Sequence, residues 1–102
     1  MMEGLPVKFR FLELFVEAEK AWNSDVIPMM QKEYGMENSY GRDVLNYALI
    51  EMSASGFIKP VFMKEDEDGT YKKGAPLTQY EITDIGRNQF EDLKKGVKLQ
   101  KV

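Results

Sequence analysis

The segment from Gly56 to Arg87 constrains the fold of this chain more than any other part of the sequence. Gly56 is a residue type that ends helices, because glycine adopts positive φ without steric cost. The residues from Phe57 to Phe62 include the aromatic and β-branched types that strands favour. Asp68-Gly69 is a turn dipeptide, and Leu77 to Ile82 alternates apolar and polar residues as a strand with one buried face does. The segment therefore predicts a helix end followed by an antiparallel hairpin.

A further helix is predicted directly after the hairpin. Thr83 can cap this helix, and Asp84 in its first turn interacts favourably with the positive end of the helix dipole. Helices, then a hairpin, then a helix is the element order of a winged helix-turn-helix domain.

Three groups of residues resemble the wing and the following helix of small winged-helix transcriptional regulators of the PadR and MarR or HxlR type. These groups are Gly56-Phe57-Ile58, Asp68-Gly69 and Tyr80-x-Ile82-Thr83-x-x-Gly86-Arg87. The resemblance covers about half of the chain and is more specific for the scaffold than for the ligand. It implies a dimer that places two recognition helices one helical turn apart on DNA.

Three helices are predicted before the hairpin, so the expected fold class is α+β and mainly α. Residues that favour helix starts or ends bound each of them. The predicted spans are Val7–Trp22 after Pro6, a second helix from a cap at Ser24 or Asp25 to Gly35, and a third from about Tyr40 to Ala54 after a cap at Asn38 or Ser39. Together with the wing and the C-terminal helix, these elements predict a winged helix-turn-helix.

The composition predicts one domain over residues 1–102 that is not an enzyme. The 102 residues are 43% hydrophobic, which supplies a modest core. The chain contains no cysteine and no histidine, which removes disulfides, thiolate nucleophiles, the commonest general base and the commonest metal ligands. We therefore predict no catalytic site, no metal and no cofactor. No apolar run approaches ~18 residues and no secretion signal is evident, so we expect a cytoplasmic protein that does not contact membranes.

Charge is distributed unevenly along the chain. There are 14 Lys and Arg against 17 Asp and Glu, for a net charge of -3. Four of the lysines lie in residues 94–102, a basic C-terminal tail without acids, so the first 93 residues carry the remaining ten bases against all 17 acids. The tail lysines either complement the dipole of a solvated helix end or contact phosphate or a partner.

The third predicted helix, at about residues 39–54, is the recognition helix that the resemblance implies, and it would enter the major groove of double-stranded DNA. Arg42 can pair with guanine O6 and N7, and Asn46 can pair with adenine N6 and N7. Polar side chains at the helix start and lysines after the hairpin turn can bind phosphate. The predicted DNA-binding residues are Ser39, Tyr40, Arg42, Asn46, Lys72 and Lys73.

Other residues in the same regions favour a different function. Asp43 and Glu51 repel phosphate, and Tyr47 with Ile50 makes the predicted outward helix face unusually apolar for a groove. Glu65 to Asp68 places four consecutive carboxylates at the predicted hairpin tip, although such a run is also found in solubilising turns. A calcium-binding loop is excluded because, with Gly69 at its sixth position, Lys64 and Ala75 would occupy its first and twelfth positions. The alternative function is a winged-helix protein-protein interaction module that binds through Tyr47 and Ile50 and does not bind DNA.

The first predicted helix carries a second apolar face, formed by Phe9, Leu12 and Val16. A small monomer needs one buried stripe per helix, so the second face predicts a dimer interface between two copies of the chain. In the alternative arrangement, the wing and the last helix cover this face within one chain.

Overall fold

The computed structural model describes the backbone of residues 6–100 and the side chains of residues 6–95. The elements in chain order are α1 (Val7–Ala18), β1 (Lys20–Trp22), α2 (Asn23–Tyr34), α3 (Ser39–Ala54), β2 (Ile58–Glu65), β3 (Pro76–Ile82) and α4 (Asp84–Gln100). The three strands form one antiparallel sheet in the order β1-β3-β2. The predicted class, α+β and mainly helical, is confirmed. Among the helices of residues 6–100, none has both the length and the apolar composition that a bilayer span requires.

The core lies between the helices and one face of the sheet. Its largest fully buried side chains come from α1, α2, α3 and the first residue of β2. They are Phe11, Leu12, Phe15, Ile27, Met30, Leu45, Leu49, Met52 and Ile58. The ring of Phe15 also meets Tyr80 of β3 edge to face, with 6.4 Å between ring centroids, so α1 packs directly on the central strand.

The prediction that the first helix continues to Trp22 is wrong, and the sheet contains a third strand that the sequence did not predict. The helix ends at Ala18, and Glu19 adopts φ 69, which turns the chain. Residues 20–22 then pair with the open edge of β3, with Lys20 opposite Glu81. The spacing of Ala18 and Trp22 fits a helix, but β3 offers backbone partners that an isolated pattern does not reveal.

The turn between α2 and α3 depends on close backbone packing. Gly35 ends α2 with φ 66, and the Asn38 side chain caps α3 by accepting a hydrogen bond from the Gly41 amide at 2.7 Å. A Cβ atom at Gly41 would lie 2.2 Å from the carbonyl oxygen of Met36, so only glycine fits there. The predicted Asn38 cap is confirmed, whereas the predicted cap of α2 at Ser24 or Asp25 is wrong because α2 begins at Asn23 without a side-chain cap.

Thr83 and Gly86 join the start of α4 to the end of α3. The Thr83 hydroxyl accepts a hydrogen bond from the Gly86 amide at 2.9 Å and can donate to the carbonyl oxygen of Gly56 at 2.6 Å or of Phe57 at 2.9 Å. A Cβ atom at Gly86 would lie 2.1 Å from the Phe57 carbonyl oxygen. The predicted Thr83 cap is confirmed. Gly86 has no Cβ atom, which allows α4 to approach the α3-β2 junction this closely.

The second apolar face of α1 is covered by α4 within the chain. Phe9 stacks on Phe90 with 5.4 Å between ring centroids, and Phe9 and Leu12 are 7% and 1% exposed. Val16 is partly buried against the core. These contacts correspond to the single-chain arrangement that the sequence left open, in which the last helix covers this face.

Candidate functional site

The outward face of α3 is largely apolar. Leu45, Leu49 and Met52 point into the core, which leaves the opposite side of the helix to solvent. The large apolar side chains on that side are Tyr40 (76% exposed), Tyr47 (62%), Ile50 (49%) and Val44 (37%). We call these four residues the apolar face of α3. The predicted exposure of Tyr47 and Ile50 is thus confirmed.

Two carboxylates on the same outward side of α3, Asp43 and Glu51, have cationic neighbours. Asp43 Oδ1 lies 3.9 Å from Arg42 Nε, and Glu51 Oε1 lies 3.2 Å from Lys8 Nζ at the start of α1. Both pairs are solvent-accessible and contribute little to stability. They nevertheless place a positive charge beside each carboxylate, which reduces the repulsion that either would exert on a nearby phosphate.

Three of the predicted DNA-binding residues meet at one cleft between α3 and the loop that joins β2 to β3. Arg42 and Asn46 come from α3, and Lys72 comes from the loop. The cleft is small, about 60 Å³. Ser39 and Tyr40 are exposed at the start of α3, and Lys73 is exposed on the loop, but none of these three lines the cleft. The fold therefore brings together residues that are up to 30 positions apart in the chain.

Asn23 lines this cleft, although its role was not predicted from the sequence. Its side chain is 4% exposed, and its Oδ1 accepts a hydrogen bond from the Thr78 amide at 3.0 Å. Its Nδ2 donates to the Pro76 carbonyl oxygen at 3.3 Å and lies 3.5 Å from Asn46 Oδ1. Asn23 thus ties the start of α2 to the start of β3 and touches the α3 residue predicted to recognise adenine.

The loop from residue 66 to 75 is organised around the Asp66 carboxylate. This side chain is 3% exposed and accepts hydrogen bonds from four consecutive backbone amides. The donors are Gly69 (3.1 Å), Thr70 (3.2 Å), Tyr71 (2.8 Å) and Lys72 (2.7 Å). Burial acts to raise the pKa of Asp66, but the four amides favour the charged carboxylate and bring the pKa below its ordinary value. The ionised form therefore holds Lys72 at the cleft.

Only three of the four carboxylates predicted at the turn after β2 are exposed. Asp66 points inward, whereas Glu65, Glu67 and Asp68 are exposed. Together with Asp25 of α2, these three line a cavity of about 360 Å³ on the side of Trp22 and Leu77. The loop therefore presents acidic groups towards the start of α2, and Lys72 towards α3.

Two further features lie away from the cleft. Lys64 of β2 places its ammonium 5.2 Å from the ring centroid of Trp22, and that ring also meets Phe62 edge to face. Arg10 of α1 binds the carboxylate of Glu33 on α2 through two hydrogen bonds, at 2.9 and 2.7 Å. Within the described residues, no group of three or more acidic side chains is arranged to hold a metal ion.

Comparisons with known proteins do not assign this site. No family model, no curated protein and no solved structure matches the chain.

Proposed function

We propose that this protein is a winged helix-turn-helix regulator of transcription that binds double-stranded DNA. In this proposal α3 is the recognition helix in the major groove, and β2, β3 and their loop form the wing. The observation that carries the proposal is the cleft where Arg42 and Asn46 of α3 meet Lys72 of the loop. Groove recognition requires side chains that bond to base edges and side chains that bind phosphate. Here both kinds lie on adjoining elements.

In the proposed complex, two of the predicted residues contact base edges and the other four bind phosphate. Arg42, 24% exposed in its side chain, donates to guanine O6 and N7, and Asn46 pairs with adenine. Lys72 and Lys73 neutralise phosphates beside the groove, and Ser39 with Tyr40 binds phosphate at the start of α3. The exposed acids of the loop lie on its other side, towards α2.

Titration of duplex DNA at increasing salt tests this proposal. Wild-type affinity should fall steeply with salt, and Lys72→Ala should lower the slope of log K against log salt by about 0.9, the loss of one phosphate contact. Arg42→Ala should weaken discrimination between sequences by about 1–3 kcal/mol at one base pair. Arg87→Ala is the control, since it removes an exposed guanidinium from the start of α4. Absence of salt-dependent binding at low ionic strength would refute DNA as the partner.

A second candidate function is supported by the apolar face of α3. Tyr40 and Tyr47 are large aromatic groups that lie exposed on one helix, which is typical of protein interfaces. In this candidate the chain is a protein-protein interaction module and does not bind DNA. Tyr47→Ser should then abolish the complex with the partner, whereas Arg42→Ala and Lys72→Ala should leave it unchanged.

Dimerisation is part of the DNA-binding proposal, because two copies would contact two half-sites. Phe9 and Leu12 are core residues of the single chain, so polar substitutions there would unfold it and would not report on an interface. Val16 is the informative predicted interface residue because it is only partly buried. Val16→Ser should convert a dimer to a folded monomer, as measured by light scattering, and a wild-type mass of one chain would refute the dimer.

A further inference from the structure

The proposed function does not explain why the outward face of α3 carries exposed apolar side chains. A helix face that enters the major groove is usually polar, because most base-edge groups there are hydrogen-bond donors or acceptors. Here Tyr47 and Ile50 are 62% and 49% exposed near the centre of the outward side of α3. Water contact with these side chains is unfavourable, so a binding partner should bury them.

We propose that the apolar face of α3 recognises thymine methyl groups, so that the preferred target is an A·T-rich duplex. This inference rests on the proposed DNA-binding function and specifies its target. The C5 methyl of thymine is the apolar group that base edges present in the major groove, and apolar side chains contact it. Burial of a methyl against Tyr47 or Ile50 removes apolar surface of both partners from water.

A neighbouring residue of α3 favours the same base pair. Asn46 and Ile50 are four residues apart, so their side chains lie one turn from each other on the same side of the helix. The Asn46 amide matches the N6 donor and N7 acceptor of adenine. Among the described residues its Oδ1 receives only a 3.5 Å contact from Asn23, which leaves acceptor capacity for adenine N6. An amide beside an apolar strip is therefore complementary to adenine beside thymine methyl groups.

The charges around the apolar face favour DNA over a protein as its partner. One flank continues into the cleft lined by Arg42, Asp43 and Lys72, where Lys72 supplies a cation for the phosphates bordering a groove. The carboxylates of Asp43 and Glu51 already have cationic neighbours in the chain, at 3.9 and 3.2 Å. The carboxylates of the outward side thus have cations beside them, and the flank that meets the loop carries two cations, Arg42 and Lys72, against the one carboxylate of Asp43.

The experiment compares three duplexes that each keep one G·C pair for the guanine contact of Arg42: one whose other pairs are A·T, the same duplex with every thymine replaced by deoxyuridine, and one whose other pairs are G·C. Deoxyuridine pairs like thymine but lacks the methyl group. The wild-type chain should bind the thymine duplex about fourfold more tightly than the deoxyuridine duplex for each methyl that it contacts. The G·C duplex should bind least tightly.

Two substitutions on α3 and one control on α4 test which side chains contact the thymine methyl groups. Tyr47→Ala and Ile50→Ala should each reduce the thymine-to-deoxyuridine affinity ratio. Ile85→Ala, which removes an apolar side chain that is 59% exposed at the start of α4, should leave the ratio at its wild-type value.

The possible failures are distinguishable. If the wild-type chain binds all duplexes with salt dependence but with equal affinity for the thymine and deoxyuridine forms, methyl recognition is refuted and DNA binding stands. If no duplex binds at low salt, the DNA-binding function itself is refuted, and the apolar face is then a protein-binding surface.

Discussion

Replacing Asn23 by alanine tests whether this buried amide connects α2, β3 and α3. The substitution removes the acceptor of the Thr78 amide and the donor to the Pro76 carbonyl oxygen, at 3.0 and 3.3 Å. A buried amide left without a partner costs about 1–3 kcal/mol, and the second lost hydrogen bond costs about 0.5–1.5 kcal/mol. The free energy of unfolding should therefore fall by about 1.5–4.5 kcal/mol.

Urea unfolding followed by circular dichroism measures this loss, and an unchanged m value would show that the unfolded state is unaffected. Asn46→Ala is the matched control, because it removes an amide from the same cleft whose side-chain contact, within the part of the chain that the structure describes, is the 3.5 Å approach of Asn23. It should cost less than about 1 kcal/mol. A loss below about 1 kcal/mol for Asn23→Ala would show that water replaces the side chain at the Thr78 amide, which would refute the structural role.

Three further predictions concern other parts of the chain. Asp66→Asn should accelerate hydrogen exchange of the four amides that donate to this carboxylate, as measured by NMR; unchanged protection would refute the role of Asp66. Hydrogen bonds from Arg10 lower the pKa of Glu33, so its folded-state pKa lies below its unfolded value. The stability advantage of wild type over Glu33→Gln should be present above the ordinary glutamate pKa and vanish in acid titrations as pH falls through the folded-state pKa. Gly86→Ala should lower the free energy of unfolding by about 1–3 kcal/mol, because its Cβ would clash with the Phe57 carbonyl oxygen, and an unchanged urea midpoint would contradict this.

The elements that the sequence predicted well are those with strong local signals. Gly35 and Gly56 adopt positive φ as expected of residues that follow helices, and Asn38 and Thr83 cap the helices that follow them. These residues act on backbone groups within a few positions, so a local pattern is sufficient to place them.

The features that the sequence missed depend on partners far away in the chain. β1 is three residues long, and it forms because β3, about 60 positions later, has a free edge. Asn23 appears in sequence as one polar residue of a turn, and its burial follows from the position of Thr78, 55 positions later. Neither contact has a periodic signal, so no window of the sequence could indicate it.

Asp66 shows why a run of acids in sequence is a weak guide to surface charge. Four consecutive carboxylates suggest a uniformly repulsive turn, and the sequence does not distinguish one of them from another. In the folded loop, four amides surround Asp66, and the last of these donors, Lys72, lines the cleft beside α3. One acid of the run therefore serves to position a cation at the cleft. Neutralising Asp66 would remove a negative charge and yet, in the proposed complex, weaken phosphate binding, whereas neutralising the exposed Glu67 would strengthen it by reducing repulsion.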